Sequence, residues 1–399
     1  MSESPWLTVL GLGEDGFDGL SPASRQVLDR AEVIMGPRRH LSLLPETEAE
    51  RVEWPAPFSD GLPTLKGLRG RQTVVLASGD PFWFGAGSVI ARNFDAGEWI
   101  ALPGQSTFSL AAARLGWPLE NTLTFGLHAA PLTRLRPHLA PGLHAILLLR
   151  DGKAVAELAT YLTETGFADS ALHVMQALGG PRENTLTVTL TQALLGTFDH
   201  PVCVGLEVSG AGPALSKASG KPDAIFETDG QITKRPIRAL TLSALAPQRG
   251  EHLWDIGGGT GSISIEWLMC DPTLTATSIE PRADRAERIR RNAIALGQDR
   301  LNVIHGTAPA ALNGLELPDV VFIGGGLSAD LLNWVHTNLP SGTRLIANAV
   351  TLESEATLAH WHEKLGGELL RIELAQSAPL GPRRGWKSAY PVVQWSVTL

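Results

Sequence analysis

Cysteine is scarce in this 399-residue sequence, which contains only Cys203 and Cys270. Both lie in apolar stretches, and their spacing does not match that of a zinc site. We therefore expect two small core residues in a reducing compartment, with no bound metal.

Long hydrophobic runs are also lacking. The nearest approach to one, Ala145–Leu149, ends at Arg150, whereas a membrane span needs about 18 or more apolar residues in succession. The first residues, Met1–Pro5, include neither a basic nor an apolar stretch. We therefore expect no signal peptide, a cytoplasmic location and no membrane partner.

The sequence also lacks an excess of positive charge. The net charge is −8, and both halves of the chain are acidic on balance. Proteins that bind nucleic acid usually neutralise many phosphates with basic residues. A nucleic-acid partner or substrate is therefore disfavoured.

The length favours two or three domains, and two different α/β patterns follow one another. Residues 207–222 between them are rich in glycine, serine and proline and lack periodicity, as linkers do. We expect a first domain over 1–210, a linker over 211–222 and a second domain over 223–399. Predicted strands of the first domain are Leu7–Leu10, Thr73–Ala77, Trp99–Leu102, Ala145–Leu149, Leu172–Gln176 and Pro201–Val208, with helices at Ser106–Leu115 and Lys153–Thr165.

The strongest motif is a glycine turn in the second domain. A predicted strand, Glu251–Ile256, leads into Gly257-Gly258-Gly259-Thr260-Gly261 and then into a helix. Glycines there allow a tight turn and let a ligand approach the backbone N–H groups at the helix start. A dinucleotide fingerprint would need a sixth-position glycine, where Ser262 stands. Asp255 before the turn instead favours a ligand with a cationic ammonium or sulfonium group.

The next predicted strand, Ala276–Ile279, ends at Glu280, whose carboxylate can accept both hydroxyl groups of a ribose. The remaining predicted elements of this domain are helices at Arg235–Leu245 and Arg282–Leu296 and strands at Leu301–Ile304, Asp319–Ile323 and Arg344–Ala347. This succession resembles the Rossmann-like class I fold of methyltransferases that use S-adenosylmethionine (SAM).

Within that fold, three segments resemble the precorrin-decarboxylating methyltransferases: Asp229–Arg238, His305–Leu312 and Phe322–Gly326. The resemblance implies that the SAM pocket is lined by Thr233, Asp255, the turn Gly257–Gly261, Glu280 and Ala308. The sequence departs from that family at Thr307, where such enzymes often carry aspartate, so an adenine contact at this position is in question.

The first domain carries a different pattern. Ala77–Gly85 contains Gly79-Asp80-Pro81, Leu102–Phe108 contains Ser106-Thr107, and each segment follows an apolar strand. Alone, the first is an ordinary turn and the second a helix N-cap. With Thr8–Gly13 they resemble the tetrapyrrole methylase fold, the class III SAM enzymes, which has two α/β subdomains. The resemblance implies that Gly79, Asp80, Pro81, Ser106 and Thr107 hold SAM, while Gly11 and Gly13 face the macrocycle.

Gly36–Leu41 and Arg182–Thr185 resemble parts of the class III domain that methylates C5 of a corrin precursor. A class III domain fused ahead of a decarboxylating class I domain resembles the two-domain precorrin methyltransferases of aerobic cobalamin biosynthesis. The resemblance implies C5 methylation by the first domain, C15 methylation with loss of the C12 acetate carboxyl group by the second, and conversion of precorrin-6B to precorrin-8. A homo-oligomer, either dimer or tetramer, is also implied.

A substrate with many carboxylates favours arginine partners. Candidate substrate-binding residues are Arg38, Arg39, Lys234, Arg235, Arg238, Arg383 and Arg384, and candidate proton carriers are His40, His128 and His305. Arginines in turns are usually solvated surface residues, and a lone histidine is more often a surface or capping residue. Arg235 and Arg238 rank above the other candidates because they adjoin the predicted SAM pocket. Trp83, Trp254 and Trp267 are expected to pack in the core. No catalytic side chain is identified, because electron-rich ring carbons can attack a methyl group themselves and most of the catalysis is then positioning.

Two alternatives from other classes remain at this point. Both folds also serve RNA methyltransferases, although the acidic balance of the chain disfavours that function. A non-catalytic protein could also keep a SAM pocket as a sensor.

Overall fold

A computed structural model describes residues 5–399 of the chain. Residues 1–4, which belong to the segment used in the signal-peptide prediction, lie outside the described residues. The chain divides into two compact units. The first comprises the chain up to Ala130 together with Ala140–Pro213, and the second comprises Pro131–Leu139 and Ala214–Leu399.

The first unit contains two five-stranded sheets. Its strands are β1 (Leu7–Leu12), β2 (Val33–Gly36), β3 (Glu50–Glu53), β4 (Thr73–Ser78), β5 (Trp99–Leu102), β6 (Leu123–Gly126), β7 (His144–Leu148), β8 (Ala171–Gln176), β9 (Asn184–Thr189) and β10 (Val202–Glu207). Its helices are α1 (Pro22–Asp29), α2 (Arg38–Ser42), α3 (Gly61–Gly67), α4 (Gly87–Asn93), α5 (Thr107–Leu115), α6 (Lys153–Glu164) and α7 (Leu190–Leu195).

The first of these sheets has the order β3-β2-β4-β1-β5, with all of its pairs parallel. The second has the order β6-β7-β10-β8-β9 and is mostly antiparallel. β1 is buried along its whole length, as expected for a central parallel strand with both faces covered. Because β4 and β5 flank β1 in parallel, the turns that follow these three strands meet at one edge of the sheet.

The second unit contains a seven-stranded sheet and a separate hairpin. Its strands are β11 (His252–Ile256), β12 (Thr275–Glu280), β13 (Asn302–His305), β14 (Val320–Ile323), β15 (Arg344–Ala349), β16 (Glu368–Ile372), β17 (Ala375–Leu380), β18 (Arg383–Ser388) and β19 (Val392–Thr398). Its helices are α8 (Arg235–Leu245), α9 (Ser262–Cys270), α10 (Ala283–Ala295), α11 (Ala329–Asn338) and α12 (Leu352–Leu365).

The large sheet has the order β13-β12-β11-β14-β15-β19-β16, and β19 is antiparallel to both of its neighbours. The other pairs are parallel. The strand order reverses between β11 and β14, which is where open α/β sheets bind ligands. This architecture confirms the predicted fold class of two successive α/β domains. β17 and β18 pair only with each other among the described strands.

Two predictions about the core are wrong in part. Trp254 and Trp267 are buried as predicted, but Trp83 is 37% exposed because it lies in a turn that borders a cavity. Cys203 is buried, whereas Cys270 is exposed at the end of α9.

From residue 5 to the end of the chain, the structure has no helix that is long and apolar enough to cross a bilayer. The cytoplasmic location stays a prediction.

Candidate active sites

A cavity of about 860 Å³ lies at the carboxyl ends of β12, β11, β14 and β15 in the second unit, and we call it cavity A. It brings together most residues predicted for the SAM pocket. The predicted residues in its lining are Thr233, Asp255, Gly257, Gly258, Gly259, Thr260, Glu280 and Ala308, and Thr307 lines it as well. Gly261 is not in the lining and serves instead as the left-handed N-cap of α9.

Two glycines of the turn after β11 share a left-handed backbone conformation but differ in their surroundings. Gly257 and Gly259 have φ angles of +76° and +61°, a region that residues with side chains rarely adopt. A Cβ atom at Gly257 would lie 2.6 Å from the backbone of Gly325, so this glycine permits close packing of two loops. A Cβ atom at Gly259 would have no neighbour nearer than 3.9 Å, so this position faces open space.

Asp255 supplies a buried carboxylate to cavity A. It is 1% exposed, and its Oδ2 accepts a hydrogen bond of 2.5 Å from the hydroxyl of Ser264. The pKa of Asp255 is raised to about 6, chiefly by burial; the Ser264 hydrogen bond opposes this rise, and the nearby carboxylate of Glu280 adds to it. No cationic side chain is hydrogen-bonded or ion-paired to Asp255 among the described residues. A carboxylate in this state is stabilised by a ligand that brings positive charge.

Glu280 is held in place by the backbone. Its Oε2 accepts from the N–H of Gly259 at 2.9 Å, and its Oε1 accepts from the N–H of Arg282 at 3.1 Å. Each carboxylate oxygen has a further lone pair, so both can still accept a ligand hydroxyl. Asp255 and Glu280 together fit a ligand that combines a cationic group with neighbouring hydroxyl groups.

Residues 220–234, here called the wall segment, reach cavity A at their C-terminal end. Gly230 to Lys234 line the cavity. The backbone of Glu227 exchanges two hydrogen bonds with Asn292, of 2.8 and 3.0 Å. The side chain of Asn292 also donates to the carbonyl of Thr260 at 2.9 Å, which joins the wall segment to the glycine turn.

The predicted substrate role of Arg238 is wrong on this geometry. Arg238 is 0% exposed, and its guanidinium bonds Glu266, Asp223 and backbone carbonyls of the wall segment, which leaves it unable to meet a substrate. Arg235 is exposed and lies outside the lining of cavity A, whereas Lys234 lines it. The sequence alone does not show that Arg238 pairs with Glu266 on another helix.

The far end of cavity A, beyond the glycine turn, was not predicted from the sequence. It is lined by Asn348, Val350, Leu374, Gln376, Ala389 and Tyr390, at the end of β15 and the base of the β17–β18 hairpin. Tyr390 is 87% exposed and Val350 is 65% exposed. Sequence patterns gave no signal here, because these residues come together only through the antiparallel return of β19.

Three further candidates lie outside cavity A. Arg383 and Arg384 are on the exposed strand β18, and Arg384 donates to the hydroxyl of Ser377 at 2.8 Å. His305 is exposed and pairs with the carbonyl of Pro281. These residues are not brought together with the predicted SAM pocket.

The first unit has a cavity of about 420 Å³ at the carboxyl ends of β1 and β4, which we call cavity B. The predicted residues in its lining are Gly13, Arg39, His40, Gly79, Asp80, Ser106, Thr107 and His128. Gly11, Pro81 and Arg38 are not in the lining. Arg38 is exposed, so the structure gives it no contact with this cavity.

The predicted contact of Gly11 with a macrocycle is not supported, because Gly11 lies where three turns pack. A Cβ atom there would lie 1.9 Å from the carbonyl oxygen of Gly79 and 2.3 Å from the nitrogen of Gly104. Gly11 therefore allows the turns after β1, β4 and β5 to come together. The Asp80 carboxylate accepts from the N–H of Phe82 at 2.8 Å. Ser106 caps α5 as predicted, accepting from the N–H of Ser109 at 3.0 Å.

Charged and polar groups gather on one side of cavity B. Glu14, which the sequence did not single out, forms ion pairs with Arg39 and Arg182. His40 Nε2 lies 3.0 Å from the Ser78 hydroxyl and 2.8 Å from Arg39. Burial, together with the charge of Arg39, lowers the pKa of His40 to about 4, so this imidazole is neutral at physiological pH. The arrangement places a cationic guanidinium beside a neutral imidazole.

Comparison with known proteins extends over both units. Residues 7–194 match the family described as tetrapyrrole (corrin/porphyrin) methylases, and residues 224–399 match the family described as precorrin methyltransferase domain.

A protein of Sinorhizobium, named precorrin-6Y C(5,15)-methyltransferase [decarboxylating], is 48% identical over 99% of this chain and 97% of its own length. One of Mycobacterium tuberculosis with the same name is 43% identical over 98% of this chain and 99% of its own length. The cobalt-precorrin-6B C(15)-methyltransferase (decarboxylating) of Salmonella typhimurium is 35% identical over 40% of this chain and 85% of its own length. With such identity along nearly its full length, this chain belongs to the family of decarboxylating precorrin-6Y C5,15-methyltransferases.

Proposed function

We propose that this chain transfers methyl groups from SAM to C5 and C15 of a precorrin and removes the carboxyl group of the C12 acetate as carbon dioxide. The reaction would convert precorrin-6B to precorrin-8 in aerobic cobalamin biosynthesis. The observation that carries the proposal is the presence, in one member of this family, of two cavities, each at the carboxyl ends of parallel strands in its own unit. Two cavities match a reaction with two methylations.

We assign C15 methylation and decarboxylation to the second unit and C5 methylation to the first. Residues 224–399 match a precorrin methyltransferase family, and residues 7–194 match tetrapyrrole methylases. A much shorter relative, matching 40% of this chain, is named only for the C15 reaction and the decarboxylation. The functional domains would then be 1–210 and 223–399, joined by 211–222.

SAM supplies an electrophilic methyl group when it is bound. In cavity A, Asp255 would attract its positive charge, and Glu280 would accept the ribose hydroxyls. Gly259 leaves room for the ligand because nothing lies within 3.9 Å of its missing side chain. In cavity B, the backbone around Gly79 and Asp80 and the helix start at Ser106 would form the corresponding site.

The macrocycle would lie against the far end of cavity A. Neighbouring strands are about 4.8 Å apart, so the end of β15 is roughly 10 Å from the glycine turn. That end exposes Tyr390 and Val350 and carries no acidic residue in its lining, whereas the cofactor end carries Asp255 and Glu280. A polycarboxylate would avoid the acidic end, and Lys234 in the lining would attract it. Decarboxylation then requires the chain only to bind, orient and desolvate the acetate.

The test uses the full chain with SAM labelled in its methyl group, offered a precorrin or RNA. We expect two labelled methyl groups and one carbon dioxide per precorrin, and no label in RNA. Transfer to RNA alone would contradict the proposal, as would SAM binding without transfer, which would favour a sensor. The acidic net charge of −8 argues against the RNA alternative.

A further inference from the structure

The second unit contains a buried ion pair that the reaction itself does not require. Arg238 on α8 and Glu266 on α9 both have 0% exposed side chains, and Nε of Arg238 donates to Oε1 of Glu266 at 2.6 Å. Burying two charges is costly, and such a pair often adds little stability compared with apolar residues of similar size.

Both members of the pair hold the wall segment. Glu266 accepts from the backbone N–H groups of Gly220 at 2.7 Å and Lys221 at 2.8 Å. Arg238 donates to the carbonyl of Lys221 at 2.5 Å and to the carbonyl of Thr233. The pair thus fixes the beginning and the end of the wall segment at the same time.

Two more contacts support this arrangement. Arg238 donates to the carboxylate of Asp223 at 3.0 Å, and its guanidinium lies 5.0 Å from the ring centroid of the buried Phe226. Glu266 belongs to α9, the helix that begins directly after the glycine turn. The ion pair therefore ties the wall segment to the helix that presents the glycine turn.

We infer that Arg238 and Glu266 are positioning residues for the cofactor, and that their buried ion pair sets the distance between the wall segment and the glycine turn across cavity A. This inference rests on the proposed function, since it takes the ligand of cavity A to be SAM. Neither residue touches the ligand. Arg238 acts through the carbonyl of Thr233, and Glu266 through the backbone of residues 220 and 221.

The chain offers a matched control in Arg344, at the start of β15. Like that of Arg238, its guanidinium donates to both a carboxylate and a backbone carbonyl. The hydrogen bonds are 2.7 and 2.8 Å to Glu251 and 3.0 Å to the carbonyl of Leu245. The carboxyl end of β15 lines cavity A, so Arg344 lies at the opposite edge of the sheet and is not in the lining.

The experiment compares Arg238→Lys with Arg344→Lys in the full-length protein. Lysine keeps the charge near its acidic partner but cannot reproduce the fork of hydrogen bonds. Amide hydrogen exchange is measured over residues 220–234 without ligand, and S-adenosylhomocysteine is titrated by calorimetry. We expect faster exchange over 220–234 in Arg238→Lys only, with one binding event weakened about tenfold or more, because a charge-assisted hydrogen bond is lost.

Unchanged exchange and affinity in Arg238→Lys would overturn the inference, as would equal effects of both variants, which would mean a general stabilising role. If Arg238→Lys lacks a cooperative unfolding transition, Asp223→Ala replaces it, because Asp223 is partly exposed and the substitution removes only one of the contacts of Arg238. The same exchange result would then be expected, and its absence would again overturn the inference. If the wild-type protein binds no S-adenosylhomocysteine at all, the proposed function fails, while the exchange measurement still tests the ion pair.

Discussion

The hydroxyl of Ser264 donates a 2.5 Å hydrogen bond to Oδ2 of Asp255, a carboxylate that is 1% exposed. This contact lowers the pKa of Asp255, yet burial outweighs it and raises that pKa from 3.8 to about 6. The cavity thus holds a carboxylate that is costly to ionise until a cation arrives. A cationic ligand that binds here offsets the cost of burying the ionised carboxylate, and this adds to its affinity.

We predict that Asp255→Asn stabilises the ligand-free protein at neutral pH. The folded pKa exceeds the unfolded one, so ionisation destabilises the fold; the cost is absent below about pH 4 and complete above about pH 6. A difference of about 2 pKa units corresponds to about 3 kcal/mol. Thermal unfolding at pH 7.5 should therefore show a higher transition temperature for the second unit of the variant, and at pH 4 the difference should vanish.

The same substitution should weaken S-adenosylhomocysteine binding to cavity A by about tenfold or more, because the amide carries no charge. In the wild-type protein this affinity should fall as the pH drops below about 6. Ser264→Ala provides the contrast, since losing its hydrogen bond should lower stability at pH 7.5. Equal or lower stability of Asp255→Asn at that pH would contradict the account of this carboxylate.

We also predict that Gly259→Trp closes cavity A while the chain stays folded. The position has open space before it, and a side chain there meets backbone strain of only about 1–3 kcal/mol. Calorimetry should show two S-adenosylhomocysteine sites per wild-type chain and one in the variant, and C15 methylation should stop while C5 methylation continues.

Gly314→Trp is the control for this substitution. Gly314 has a φ angle of +78° and open space around it, and it is not in the lining of cavity A. Two binding sites should remain in this variant. Loss of both methylations in a folded Gly259→Trp protein would refute the division of the two reactions between separate cavities.

A third prediction concerns the macrocycle. Tyr390→Ala should raise the KM for the precorrin by roughly threefold to tenfold, because an aromatic contact contributes about 0.5–1.5 kcal/mol. The affinity for S-adenosylhomocysteine should not change, since Tyr390 lies at the other end of cavity A.

Trp386→Ala is the matched variant for Tyr390. Trp386 is 79% exposed on the same hairpin, but it is absent from the cavity lining. Steady-state kinetics of C15 methylation should show no effect of this substitution. A similar rise in KM for both variants would indicate that the hairpin acts as a whole rather than through Tyr390.

The elements that were predicted correctly from the sequence are those determined by residues close together in the chain. The apolar strands β1, β4 and β11 and the glycine turn after β11 follow from residues that are neighbours in the chain. The exposed edge strand β3 gave no such pattern, since its four residues are mostly exposed. Short polar strands at a sheet edge need their neighbours in order to form.

The site residues that were missed depend on contacts between distant parts of the chain. Glu266 lies 28 residues beyond Arg238. Nothing in this spacing indicates that the packing of α8 against α9 brings the two side chains together. Tyr390 reaches cavity A only because β19 returns beside β15. Pro131–Leu139 belongs to the second unit although it lies within the sequence of the first, and no composition change marks it.

The last prediction separates two glycines at the end of β1 that the sequence treats alike. At Gly11, a methyl group would collide with backbone atoms of Gly79 and Gly104 at 1.9 and 2.3 Å, which cannot move without separating three turns. At Gly13, it would meet the carboxylate end of Asp15 at 2.5 Å, and a flexible side chain can rotate away. Gly11→Ala should therefore disrupt cavity B and abolish C5 methylation, whereas Gly13→Ala should retain most of it.

Labelled methyl transfer to the precorrin, resolved by position, checks both variants, and C15 methylation by cavity A should persist in each of them. Thermal unfolding shows whether the loss in Gly11→Ala comes from the predicted collision. In that case the free energy of unfolding of the first unit should fall by at least about 1–3 kcal/mol, the usual cost of overpacking. Full C5 methylation by Gly11→Ala would mean that the three turns can part without harm, and that their close approach does not shape cavity B.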